Sequence, residues 1–307
     1  GGRSPAASAS WKGPQEAEVI PPGLDSHGAL GEFAFSHCPI PILENPMSDA
    51  PLETPFHDWH VAQGGRMVDF AGWDMPVQYT SIVQEHHAVR TAAGMFDIAH
   101  MGRLVFSGPE AGGFLDRLLT NDVSAIEEGR VRYALVCDQS GGILDDVLVY
   151  RFAEDYLLVV NASNRQKILE WIETHRAGFD VTVIDRTIDW AMLAVQGPRA
   201  VELVALLVDS PVADLGYYRC ASAIVMEHES RISRTGYTGE DGVELIVPAG
   251  VGPEVWQRLM ELGAAAGLVA AGLGCRDTLR LEAAMPLYGH ELSEDIDPYT
   301  AGLAFAV

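Results

Sequence analysis

The chain has 307 residues, of which 48% are hydrophobic and 21% charged, so it can bury sizeable cores as one large domain or as two to three smaller ones. Its 43 acidic and 20 basic residues give a net charge of −23, which disfavours nucleic acid and anionic membranes as partners. No apolar run is long enough to span a bilayer. Four single cysteines without a C-x-x-C pair indicate neither a zinc knuckle nor a disulfide framework, and they favour a cytosol-like compartment: Cys38, Cys137, Cys220 and Cys275.

Residues 1–53 are rich in Gly, Pro, Ala and Ser and show no helical or strand period. We interpret them as a disordered leader or a non-native extension, with Met47 as a plausible natural start. The organised region is expected to cover residues 54–307.

The first organised stretch contains a histidine pair and a helix signature. His57 and His60 are spaced for a shared helix face, but no third ligand recurs nearby, so a structural pair is favoured over a metal site. Ser81-x-x-Gln84 is a capping box that predicts a helix start, and Gly94 is predicted to cap its end.

Three strand–helix units recur further along the chain. Each has an apolar run that stops at a Gly-Pro pair, at Gly108-Pro109, Gly197-Pro198 and Gly252-Pro253, and is followed by a helical run. Proline is expected at the first helical position. Because hairpins alternate with these units, the predicted fold class is α+β, with mixed, largely antiparallel sheets and outer helices.

A hairpin is predicted between Tyr133 and Tyr150, with its turn at residues 138–142. Its second strand carries the adjacent carboxylates Asp145 and Asp146. Neighbouring strand residues face opposite sides, so the two side chains cannot both be buried with Ile143 and Val147.

Two later segments combine glycines with charged residues. Residues 234–247 read R-T-G-Y-T-G-E-D-G-V-E-L-I-V, a tight turn next to a strand that bears Glu244. Residues 272–283 read G-L-G-C-R-D-T-L-R-L-E-A and place Arg276 at the start of a helix. A cation is unfavourable there, so Arg276 is expected to face an anion or a carboxylate.

Five stretches together closely resemble the T-protein of the glycine cleavage system, the tetrahydrofolate-dependent aminomethyltransferases: D-F-A-G-W-D-M-P-V-Q-Y, M-F-D-I-A-H-M-G, G-G-I-L-D-D-V-L-V-Y, R-T-G-Y-T-G-E-D-G-V-E-L and G-C-R-D-T-L-R-L-E-A. The resemblance runs in order from about Thr54 to Val307. It implies a three-domain cloverleaf around a folate channel.

The resemblance also implies roles for particular residues. Asp146 would be the essential carboxylate beside folate N5, Glu244 would hold the pterin, and Tyr133 and Arg276 would complete the ligand site. The implied substrates are tetrahydrofolate and an aminomethyl group on the lipoylated H-protein. No metal is implied, and the expected compartment is the cytoplasm, or the mitochondrial matrix in a eukaryote.

Family members continue past the position of Val307 into a β-rich lobe. The chain is therefore expected to hold two of three lobes, interleaved, without the last. The run Gly302–Val307 is interpreted as the beginning of a strand.

Two alternatives stay open. One is a folate-dependent demethylase of a methylated amine or sulfonium compound. The other is a non-catalytic folate-binding iron–sulfur assembly factor, although those typically carry K-G-C-[YF]-x-G-Q-E where this chain has R-T-G-Y-T-G-E-D.

Overall fold

A computed structural model describes residues 50–307. The predicted leader lies outside the described residues except for its last four, among which Leu52 forms a β-bridge with Trp73. The strands are β1 Arg66–Phe70, β2 Trp73–Gln78, β3 Ala93–Asp97, β4 Gly102–Ser107, β5 Arg130–Cys137, β6 Ile143–Arg151, β7 Tyr156–Val160, β8 Thr182–Asp185, β9 Trp190–Gln196, β10 Cys220–Val225, β11 His228–Ser233, β12 Gly242–Pro248 and β13 Leu268–Ala270. The α-helices are α1 His57–Ala62, α2 Ile82–Thr91, α3 Ala111–Leu118, α4 Arg165–His175, α5 Ala200–Val204, α6 Gly252–Gly263 and α7 Leu273–Glu282.

Three sheets organise these strands. A small hairpin joins β1 and β2, a six-stranded sheet has the order β10-β11-β12-β9-β3-β13, and a five-stranded sheet has the order β5-β6-β7-β4-β8. All pairings are antiparallel except that of β13 with β3. The predicted α+β class with largely antiparallel sheets is confirmed.

Each large sheet has a helix-covered face with its own core. The six-stranded sheet and the helices α5 and α6, which pack on it around the fully buried Trp256, form what we call the six-strand lobe. The five-stranded sheet and the helices α3 and α4, which pack on it around Phe106 and Phe114, form the five-strand lobe. The chain leaves the six-strand lobe after β3, builds the five-strand lobe, and returns at β9, so the lobes are interleaved in sequence.

The uncovered faces of the two sheets pack against each other in a region that we call the seam. Apolar side chains of both sheets meet there, together with Cys275 and Leu279 of α7. The seam side chains of the sheets are Phe96, Met192, Ala194 and Ile246 from one and Val105, Val131, Tyr150, Leu157 and Val159 from the other. Polar residues on these two faces are consequently brought together between the lobes.

The recurrent strand–helix units are confirmed as β4–α3, β9–α5 and β12–α6. Gly108 and Gly197 have φ of 110° and 128°, a region that favours glycine at the turn. The prolines do not take the first helical position. Pro109 and Pro198 lie in the turn before the helix, and Pro253 is the second residue of α6.

Two local predictions are wrong. Ser81 caps α2 by accepting from the Gln84 amide at 3.2 Å, as predicted, but the helix ends at Thr91, and Gly94 lies within β3. A Cβ on Gly94 would lie 2.4 Å from Val89 Cγ2, so close packing requires this glycine. The run predicted as a strand beginning near Gly302 instead forms a 3-10 turn at Ala304–Ala306. Its local backbone bonds, such as Leu303 N to Pro298 O at 2.8 Å, replace strand pairing.

Within residues 50–307, no helix combines the length and the apolar character needed to cross a membrane.

Candidate active site

The predicted hairpin is present as β5 and β6, and it contains a bulge next to the two aspartates. Val136 pairs with Asp145 and Cys137 pairs with Ile143, which leaves Leu144 as an extra residue. Asp145 therefore faces the helix-covered side together with Val147, whereas Asp146 faces the seam. The prediction that the two carboxylates point to opposite sides is confirmed.

Asp145 is fully buried, and the residues that begin the α4 region satisfy it. Its carboxylate accepts from the Asn161 amide at 3.0 Å, from Asn161 Nδ2 at 2.8 Å and from Asn164 Nδ2 at 2.6 Å. Burial, together with the negative charge of Asp146, raises the pKa of Asp145 to about 7. These contacts indicate that Asp145 holds the strand in place.

Asp146 is partly buried and has two side-chain donors. Its Oδ2 accepts from the Tyr133 hydroxyl at 3.2 Å, and its Oδ1 accepts from Asn161 Nδ2 at 2.8 Å. Burial raises the pKa of Asp146 to about 6. The Tyr133 ring stacks on Phe305 with centroids 5.8 Å apart, which fixes the hydroxyl that orients Asp146.

Glu244 lies on β12 and faces the seam from the other sheet. Its Oε2 accepts a short hydrogen bond from the Thr235 hydroxyl and a long one, at 3.4 Å, from the Tyr150 hydroxyl. Burial raises the pKa of Glu244, and the Thr235 hydrogen bond and the charge of Arg276 oppose that rise. No donor from residues 50–307 reaches Oε1. One oxygen of a buried carboxylate is thus left for another partner.

Arg276 is the fourth residue of α7, and its guanidinium lies over the Tyr237 ring, 4.7 Å from the centroid. The Tyr237 hydroxyl donates to Pro286 O, which fixes the ring beneath the cation. Burial lowers the pKa of Arg276, and the charge of Glu244 opposes this effect, as expected for a cation that faces a carboxylate. Nη1 is buried and has no hydrogen-bond partner in the described part of the chain.

Electrostatic interactions connect the four predicted residues through a set of tyrosines. Burial raises the pKa of Tyr237 to about 12, and the charges of Arg276 and Asp146 both act on it. Burial and the charge of Glu244 raise the pKa of Tyr218. Burial, Asp146 and both of these tyrosines raise the pKa of Tyr133. The charges of Asp146, Glu244 and Arg276 thus act on neighbouring tyrosines, and that these residues form one site with Tyr133 stays a prediction.

The sequence interpretation missed several residues of this site. Tyr150 could have been found, because it lies four residues after Asp146 on the same strand face. Asn161, Thr235 and Tyr237 come from loops, and no periodic pattern marks them. Their positions depend on which loops the two sheets bring to the seam.

The histidine pair is structural, as favoured from the sequence. His60 is fully buried between Asp97 Oδ2 at 3.0 Å and the Tyr79 hydroxyl at 2.7 Å, while His57 contacts Asp74 at 2.8 Å. Across residues 50–307, no group of three His, Cys, Asp or Glu side chains is arranged to hold a metal ion.

Comparison with known proteins agrees with the resemblance found in the sequence. Residues 56–307 match the family described as the GCVT N-terminal domain, and the chain belongs to that family. An aminomethyltransferase of Rubrobacter xylanophilus is 52% identical over 254 residues, which cover 83% of this chain and 67% of that protein. An aminomethyltransferase of Moorella thermoacetica is 51% identical over 252 residues, covering 82% and 69%.

A solved structure extends the agreement to the fold. The crystal structure of glycine cleavage system aminomethyltransferase T from Bartonella henselae superposes with a TM-score of 0.78 at 33% identity. The match covers 84% of this chain and 70% of that one. The predicted family and its α+β fold are confirmed.

Proposed function

We propose that this protein is an aminomethyltransferase of the glycine cleavage system. It would transfer the methylene of a lipoyl-bound aminomethyl group to tetrahydrofolate, release ammonia and give 5,10-methylenetetrahydrofolate. The observation that carries the proposal is that Arg276 Nη1 is buried without a partner from residues 50–307 and that Glu244 receives its hydrogen bonds at Oε2 alone, while Asp146 faces the seam. The names of the relatives agree with it.

The hydrogen-bonding needs of Glu244 and Arg276 match the edge of a reduced pterin. That edge presents a 2-amino donor, an N3–H donor and a 4-oxo acceptor in succession. Glu244 can accept from one donor at Oε1 and, by giving up its long bond from Tyr150, from the other at Oε2, while Arg276 Nη1 can donate to the oxygen beside them. Accepting two N–H bonds favours the ionised carboxylate and so offsets the effect of burial on its pKa.

Asp146 is suited to the charge that develops during transfer. Loss of ammonia from the protonated aminomethyl thioether breaks the C–N bond and leaves a cationic carbon on sulfur. Attack by folate N5 forms a new C–N bond, and attack by N10 then breaks the C–S bond. The two protons lost from N5 and N10 go to the thiolate and to ammonia. A fixed carboxylate beside N5 stabilises the cationic carbon and orients the amine.

The partners follow from this reaction. The lipoylated H-protein would supply the aminomethyl group, and tetrahydrofolate would accept the methylene. The predicted compartment and the assignment of residues 54–307 to two of three family lobes stay predictions.

The test is an ammonia-release assay with the aminomethyl-loaded lipoyl carrier and tetrahydrofolate. We expect ammonia and 5,10-methylenetetrahydrofolate in equal amounts, and neither product without folate. Turnover of a free methylated amine or sulfonium compound, with no ammonia from the carrier, would instead identify the demethylase. Folate binding without turnover of either donor would favour a binding protein.

A further inference from the structure

Gln196 is the last residue of β9, and none of its surface is exposed. It pairs with Gly242 of β12 and lies two residues after Ala194, whose side chain packs in the seam. Alternate residues of a strand share a face, so the side chain of Gln196 points to the seam side of the six-stranded sheet. Glu244 pairs with Ala194 on that same face. Gln196 and Glu244 are therefore diagonal neighbours on the sheet.

The side chain of Gln196 binds both ends of a short stretch of the loop between β11 and β12. Its Nε2 donates to Thr235 O at 3.1 Å, and its Oε1 accepts from the Thr238 hydroxyl at 2.9 Å. Gly236 leaves room for this contact, because a Cβ there would lie 1.9 Å from Oε1. A Cβ on Gly242 would likewise lie 2.2 Å from Nε2. The amide therefore fills a slot that two glycines leave open.

The stretch that Gln196 binds contacts both predicted pterin ligands. The Thr235 hydroxyl donates a short hydrogen bond to Glu244 Oε2. Two residues further on, the Tyr237 ring lies under the Arg276 guanidinium, 4.7 Å from the ring centroid. Within residues 50–307, Gln196 itself makes no hydrogen bond to either charged group. A shift of the loop would therefore displace the neighbours of both charged groups together.

We propose that Gln196 is a positioning residue for the pterin: by holding the β11–β12 loop, it keeps Glu244 and Arg276 directed at one ligand edge. The inference rests on the proposed function, which assigns both charged groups to the pterin. Without the two bonds from Gln196 the loop would populate other conformations, and the affinity for the pterin would fall with the fraction that stays competent. The transfer step would change less, because Asp146 lies on β6 of the other sheet.

The test compares the wild type with Gln196→Met, which keeps the length of the side chain and removes both bonds to the loop. We expect the Kd for tetrahydrofolate, measured by calorimetry, to rise about tenfold. Turnover at saturating folate should stay within about threefold of the wild type. The control is Val255→Ala in α6, on the helix-covered face of the same sheet, which should lower the melting temperature without changing Kd.

Two variants on the loop separate positioning from a general loss of stability. Thr235→Val removes the hydroxyl that orients Glu244 and should by itself raise Kd about tenfold. If Gln196 acts through Thr235, the double variant should lose about 30-fold or less, whereas independent effects would multiply to about 100-fold. Thr238→Val removes the other bond between the loop and Gln196 and should raise Kd about threefold, which provides the test if Gln196→Met does not fold.

An unchanged Kd in Gln196→Met, or in Thr238→Val where the first variant does not fold, would overturn the inference and leave the proposed function intact. So would fully multiplicative losses in the double variant, or a rise of Kd in Val255→Ala as large as that in Gln196→Met. Wild-type protein that does not bind tetrahydrofolate would instead overturn the proposed function, and this inference with it.

Discussion

Two polar clusters of the protein differ in how completely the fold satisfies their hydrogen bonds. In the first, Asp97, His60, Tyr79 and Thr54 form a closed set of hydrogen bonds. In the second, which consists of Glu244 and Arg276, the Arg276 Nη1 nitrogen has no partner within residues 50–307, and Glu244 receives hydrogen bonds at Oε2 alone. Both clusters bear the cost of desolvation, but only the first recovers it within the protein. We infer that the first cluster maintains the fold and that the second is completed by a ligand.

The largest effect is expected at Asp146, which is partly satisfied and faces the seam. Asp146→Asn preserves shape and removes charge, so we expect turnover to fall by about 10²–10³ with folate affinity nearly unchanged. Single-turnover ammonia release measures the first quantity and calorimetry the second. Asp145→Asn should instead lower the free energy of unfolding, because it places an amide against the donors of Asn161 and Asn164. Wild-type turnover in Asp146→Asn would remove the carboxylate from the mechanism.

The closed cluster should respond in stability rather than in activity. His60→Phe leaves Asp97 and Tyr79 each without one partner, so we expect the free energy of unfolding to fall by about 3 kcal/mol. Urea unfolding measures the change. His57→Phe is the matched control, and because its contact with Asp74 is partly exposed, a loss of about 1 kcal/mol or less is expected. Equal losses in the two variants would argue against the distinction between the clusters.

Glu244→Gln tests the second cluster, whose hydrogen bonds the fold leaves incomplete. The amide puts a donor where a carboxylate oxygen would meet the pterin N–H groups, and the mismatch costs about 1–3 kcal/mol of folate binding. Calorimetry should show affinity reduced tenfold or more, with a smaller change in the turnover of bound substrate. Unchanged affinity would show that Glu244 does not bind the pterin.

The smallest effect is a pH dependence that differs in sign between activity and stability. Activity requires ionised Asp146, so the rate should fall as the pH drops below about 6. The raised pKa values of Asp145 and Asp146 mean that the folded state holds these protons more tightly than the unfolded state does. Their contribution to stability is therefore present below about pH 4 and is lost as the pH rises through about 6 to 7. A pH–rate profile tests the expected fall in rate below about pH 6. Urea unfolding at pH 5 and pH 8 tests the expected loss of stability as the pH rises.

The sequence predicted the hairpin, its opposed aspartates and the strand–helix units because each depends on local periodicity. It did not predict the bulge at Leu144, because the bulge depends on how β5 and β6 pair with each other. Gly94 was misassigned because a glycine after a helical run usually caps the helix, whereas here the pairing of β3 with β13 and β9 dominates. Local propensity does not contain such long-range pairing.

The family resemblance indicated Tyr133, Asp146, Glu244 and Arg276 together, and their joint role stays a prediction, although Tyr133 does donate to Asp146. It gave no sign of which polar atoms would lack partners. That property depends on every neighbour of Glu244 and Arg276 at once, and those neighbours come from separate parts of the chain.

The interleaving of the lobes has a consequence for the order of folding. β3 can pair with β9 only after β9 has been synthesised, and that happens after the whole five-strand lobe. Arg103 lies where the chain enters and leaves that lobe, and its guanidinium donates to the carbonyls of Ala99, Met101, Thr187 and Trp190. The five-strand lobe, whose pairings lie within β4–β8, should form early, while the six-strand lobe depends on distant partners. We expect β9 and β12 to gain hydrogen-exchange protection after β5 and β6 during refolding, so that the candidate site would be the last part of the described molecule to be assembled.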